Sequence, residues 1–94
     1  MTAFGEEPYT TPYQKAAAIA EAIVCHHVFN DGNHRSALGA AYLILVLNGL
    51  QVVALKNETL DAIRQLESGT LSIEEFSLWL EQRCVLRSFP NPLA

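Results

Sequence analysis

Polar and apolar positions along this chain fall into four helical blocks. In the first, Ala16, Ile19, Ala20, Ile23 and His27 recur with the three-and-four spacing of one buried helical stripe. Thr11-Pro12 opens the block: the threonine oxygen can cap the first turn, and proline stands where a missing N–H costs nothing. The stripe carries His27 inward, whereas His26, about 100° further round the helix, falls on the polar side as a solvent-facing or capping residue. The second block runs from Asn33 to about Asn48. Its apolar residues (Ala37, Leu38, Ala40 to Leu47) cover nearly every direction, which predicts a helix packed on all sides, stopped by Asn48-Gly49. This is the expected central helix. The third block is capped by Asn57 and ends near Ser68 before Gly69, with Leu60, Ile63 and Leu66 inward. The fourth opens on Ser72 and Glu75, an S-x-x-E capping box, and continues through Phe76, Trp79 and Leu80 to about Arg83. Between the second and third blocks, Gln51 to Leu55 reads as a short extended connector with no evident strand partner. Met1 to Thr10 and the tail after Cys84 read as irregular.

Composition narrows the class. A chain of 94 residues is one domain, residues 1–94, and with 50% hydrophobic and 17% charged residues it is expected to pack a core. The net charge is −4 and the six lysines and arginines are scattered singly, so no basic patch is available for a nucleic acid. The longest apolar stretch, Ala37 to Leu47, is well short of the roughly 20 residues needed to cross a bilayer, and no signal segment opens the chain, so the expected compartment is the cytoplasm. Cys25 and Cys84 have no CxxC spacing and are expected to be reduced.

Between the first two blocks lies a segment far more polar than a connection requires, His27-Val28-Phe29-Asn30-Asp31-Gly32-Asn33-His34-Arg35. Asn33, His34 and Arg35 fall in the first turn of the second helix, whose unpartnered N–H groups attract anions. Gly32 permits positive φ and close approach of a phosphate to the main chain. Asn33 and Arg35 add donors, and His34 adds another when protonated. Asp31 is a carboxylate suited to magnesium, which fills its remaining positions with phosphate oxygens and water. His27, across the turn, is suited to accept a proton from a hydroxyl at neutral pH. Phe29 points into the core and fixes the turn. Taken singly, His27 is a core histidine and Asp31-Gly32-Asn33 a turn and cap; in register they describe a phosphate cradle facing a base.

The nonapeptide resembles the HxFx(D/E)GNxR signature of the Fic/Doc family, whose death-on-curing branch comprises bacterial toxins. Six positions match in register: His27, Phe29, Asp31, Gly32, Asn33 and Arg35. Thr11 to Ile23 and Ser36 to Leu50 look like the helices that flank the signature in that branch. The resemblance implies an all-α, compact helical bundle around a central buried helix at about 33–48. It implies transfer of a phosphoryl or nucleotidyl group from ATP or another nucleoside triphosphate, with Mg2+, to a protein hydroxyl; elongation factor Tu is the target known for the branch. It assigns His27 as the catalytic base, Asp31 as the metal ligand, and Gly32, Asn33, His34 and Arg35 to the nucleotide phosphates.

Three departures qualify the likeness. Val28 stands where the family usually has proline. His34 replaces the glycine of adenylating relatives and the lysine of the death-on-curing toxin, and its bulk and potential charge incline the expectation toward phosphoryl transfer. By the resemblance, the N-terminal flap region that aligns the target peptide in relatives is expected to be missing before Pro8, through truncation or in a natural short form. No glutamate is followed by Gly or Asn, so the inhibitory [S/T]xxxE[G/N] motif is absent and restraint would fall to a separate antitoxin protein. Two other readings stand beside this one. One is a catalytically impaired module that only binds an antitoxin. The other is a metal-dependent hydrolase using His26, His27, Asp31 and His34 as zinc ligands, which the divergence of adjacent histidines on a helix disfavours.

Overall fold

The computed structural model describes residues 11–26 and 32–86. Four helices and one small antiparallel strand pair make up these residues: α1 (Pro12–Cys25), α2 (Asn33–Leu47), β1 (Leu50–Val52), α3 (Lys56–Ser68), α4 (Ile73–Gln82) and β2 (Cys84–Leu86). The expected all-α class holds.

Local chemistry starts and stops the helices. Thr11 Oγ1 accepts from the Gln14 N–H at 3.1 Å, and the Gln14 side chain accepts from the Thr11 N–H at 3.2 Å, a reciprocal capping box at α1. Ser72 and Glu75 form the same pair at α4. α3 begins two residues earlier than its asparagine suggests. Its N-cap is Leu55, which offers no side-chain acceptor, and Glu58 Oε1 instead accepts from the Leu55 N–H at 3.2 Å. α2 ends as its sequence predicts, with Gly49 at φ 76 and its N–H given to the Val46 carbonyl.

α1 packs most extensively against the other helices, chiefly α2 and α4 and also α3. Its buried residues are Ala16, Ala17, Ala20, Ile23 and Val24, whereas Ile19 is exposed, so the buried stripe lies to one side of the expected one. Five alanines with no exposure, Ala16, Ala17 and Ala20 on α1 and Ala37 and Ala41 on α2, keep the buried faces of these two closely paired helices low in bulk. The expectation that α2 is packed on all sides is corrected: it buries Ala37, Leu38, Ala41 and Leu45, but Leu43 and Leu47 are 57% and 75% exposed. An apolar pattern names the residues able to be covered, not the neighbours that cover them.

α3 and α4 close the core with Ala62, Ile63, Leu66, Phe76 and Leu80. Thr59, fully buried, satisfies its hydroxyl with the Tyr42 hydroxyl at 2.8 Å, tying α3 to α2. Trp79 stacks on Phe76 and carries the Arg83 guanidinium 4.2 Å from its ring centre. The connector after Gly49 does have a partner, in a segment the sequence leaves irregular. Leu50 pairs with Leu86 and Val52 with Cys84, which joins the end of α2 to the end of α4.

Candidate functional site

Three helix ends converge beside the polar segment. α1 ends at Cys25, with His26 exposed at the C-cap, its N–H given to the Ala22 carbonyl. α2 begins after Gly32, which sits in the left-handed region at φ 74 and gives its carbonyl to the Ser36 N–H at 2.9 Å. A β-carbon added at Gly32 would meet open space, so the strain of positive φ, rather than crowding, is what excludes other residues there. His27, Phe29 and Asp31, to which the sequence assigns the base, the turn-fixing aromatic and the metal ligand, lie outside the described residues.

The C-terminal end of α3 braces both sides of this junction. Cys25 Sγ lies 3.9 Å from the Leu66 carbonyl oxygen, its hydrogen-bond acceptor. One residue on, Glu67 Oε1 lies 2.9 Å from His34 Nε2. Both members of the second pair are about one-third exposed, so the contact is partly shielded from water. Partial burial raises the Cys25 thiol above its ordinary range, and the carboxylates of Glu21 and Glu67 push the same way. Cys84, raised by burial, is likewise held as a thiol. Neither cysteine has the environment of an activated nucleophile.

An open cleft of about 420 Å³ lies at the start of α2, lined by Gly32, His34, Arg35, Leu60 and Arg64. Three of the four residues assigned to phosphate from sequence therefore line one space. The fourth, Asn33, is half-buried in the same first turn. Arg35 is exposed, and among the described residues no carboxylate pairs with it. His34 has a more restricted role than its sequence position suggests. A neutral imidazole carries hydrogen on one nitrogen only, so a ring that donates Nε2–H to Glu67 presents Nδ1 as an acceptor, and donation to a phosphate from His34 requires the imidazolium.

Chemically, this arrangement brings an αL glycine, the N-terminus of a helix of 15 residues and guanidinium groups to one open cleft, a combination suited to an anion. The sequence reading missed its α3 wall of Leu60 and Arg64, and Glu67 behind it against His34. The available signal was their spacing, four and three residues apart on one helical face beside the core stripe of Thr59, Ala62, Ile63 and Leu66. Among the described residues no group of three or more His, Cys, Asp or Glu side chains could hold a metal ion, and no helix is long and apolar enough to cross a membrane.

Comparison with known proteins places these features. Residues 1–45 match the model of the Fic/DOC family, a span that contains the whole polar segment and most of α2. A curated relative from Mycolicibacterium smegmatis, Toxin Doc, is 38% identical over 53 residues, which are 56% of this chain and 41% of the relative. The chain thus spans about two-fifths of that relative's length.

Proposed function

From the match of residues 1–45 to the Fic/DOC family and the 38% identity over 53 residues to a Toxin Doc, we propose a Doc-type toxin of that family that transfers a phosphoryl or nucleotidyl group from a nucleoside triphosphate to a protein hydroxyl. The observation that carries this reading is the family match over residues 1–45, because it contains the nonapeptide, and the described part of that nonapeptide opens onto an arginine-lined cleft.

In this reading Gly32, Asn33 and Arg35 hold the phosphates, and His34 contributes when protonated. His27 accepts the proton of the target hydroxyl as its oxygen bonds to phosphorus. The phosphoanhydride P–O bond breaks, and ADP leaves after γ-phosphoryl transfer or pyrophosphate after nucleotidyl transfer. A single carboxylate next to an anion cradle suits magnesium, so Asp31 is the residue that would hold Mg2+. Bound there, the ion would neutralise phosphate charge. Phe29 anchors the turn that presents these groups. A translation factor such as elongation factor Tu is the target class, an antitoxin protein is the restraining partner, and the cytoplasm is the compartment in which both would be met. Between the two donors, the imidazole at position 34 inclines the reading toward the phosphoryl group.

The test uses the purified chain with magnesium and ATP labelled at the α or the γ phosphate, offered to a translation factor. Label from the γ position marks phosphoryl transfer and label from the α position marks nucleotidyl transfer. His27→Ala should lower either by at least about a hundredfold, the low end of what a general base contributes. A folded chain that transfers neither label is instead a module that binds an antitoxin without catalysis.

A further inference from the structure

The cleft has two walls, and the second comes from beyond the family match. Leu60 and Arg64 lie one turn apart on α3 and line the same open space as the first turn of α2. Arg64 Nη1 donates to Asp61 Oδ1 at 2.9 Å, in an i,i+3 pair whose side chains are 58% and 69% exposed. A surface pair of this kind is worth little and is readily exchanged for a better acceptor. The guanidinium has five N–H donors, and this pair occupies a small part of them. Arg35, on the α2 wall, offers a second planar fork to the same space. Among the described residues no carboxylate lines the cleft: Asp61 is engaged with Arg64, and Glu67 with His34.

We propose that Arg64 is a second recognition residue for the anionic co-substrate, and that with Arg35 it forms a two-guanidinium clamp on a polyphosphate chain. This rests on the phosphate-site reading above and adds to it the residue that favours a multiply charged donor over a single phosphate. Two forks from different helices in one cleft can each take a different phosphoryl group, whereas one fork and a helix N-terminus can hold a lone oxyanion. The net charge of −4 makes such a clamp a local feature rather than a consequence of overall charge.

Isothermal titration of the full chain with inorganic tripolyphosphate and with inorganic phosphate tests this. Arg64→Ala should weaken tripolyphosphate binding about tenfold or more, as expected for loss of a charge-assisted contact. It should change phosphate binding by less than about twofold, within the small effect of an exposed charge. Arg64→Lys, which keeps the charge without the fork, should fall between. Lys56→Ala, an equal charge change at an exposed position of α3 outside the cleft, should stay near wild type. If Arg64→Ala matches Lys56→Ala while Arg35→Ala loses tripolyphosphate, the clamp is wrong and the phosphate site on α2 stands. If the wild-type chain takes up neither anion, both fall together. Circular dichroism confirms the helical fold of each variant, which an exposed substitution on α3 should preserve.

Discussion

The polar segment with its two flanking helices and the α3–α4 half of the chain contribute to the site in opposite ways. In the first, the chemistry is contiguous: Gly32, Asn33, His34 and Arg35 follow one another at the start of α2, within the span that matches the family. In the second, which lies beyond that span, nothing reads as a motif. Yet its α3 supplies Leu60 and Arg64 to the cleft wall, Glu67 to His34 and the Leu66 carbonyl to Cys25. A motif fixes which groups are present, and packing from elsewhere fixes where they stand. The described ends of α1 and α2 that flank the polar segment both lean on the last turn of α3.

The difference can be broken most forcefully from the far side of the molecule. Phe76, with no exposure, is the largest fully buried side chain, and Phe76→Ala should cost about 3–5 kcal/mol. Thermal unfolding followed by circular dichroism should show a sharply lowered midpoint. An unchanged midpoint would mean that α4 is dispensable to the fold and the second half no true scaffold.

A subtler change sharpens the comparison. Glu67→Gln keeps the size of the side chain and removes the charge that His34 faces, so the stability loss should be about 1 kcal/mol or less for a partly exposed pair. Hydrogen exchange should nevertheless speed up at the amides of the first turn of α2 and remain unchanged at those of α4. Equal exchange at both ends would show that the brace does not hold the junction.

The fold was legible wherever a local rule operates. Thr11-Pro12, Ser72 with Glu75, and the glycines at 49 and 69 act within a few residues of themselves, and each helix start or stop they predict is present. Asn57 misled because asparagine is a good cap in isolation, while Glu58 reached back to Leu55 and set the start earlier. The pairing of Leu50–Val52 with Cys84–Leu86 brings together segments more than thirty residues apart, which periodicity does not register. The exposed face of α2 and the shift of the α1 stripe away from Ile19 have the same origin, since both depend on which neighbour arrives. Of the residues that line the cleft, Gly32, His34 and Arg35 are the ones residue chemistry singles out. Glu67 and Arg64 were not legible, because a glutamate and an arginine on an amphipathic helix read as its solvated face. His27, Phe29 and Asp31 keep the roles the sequence assigns them as proposals.

The central claim is that the first turn of α2 and the stripe of α3 that lines the same cleft together form a phosphate site. Amide-resolved NMR of the full chain titrated with magnesium and ATP tests it most directly. The account predicts saturable shifts at Gly32, Asn33, His34 and Arg35, accompanied by Leu60 and Arg64. Shifts confined to other surfaces, or none at saturating nucleotide, would contradict it.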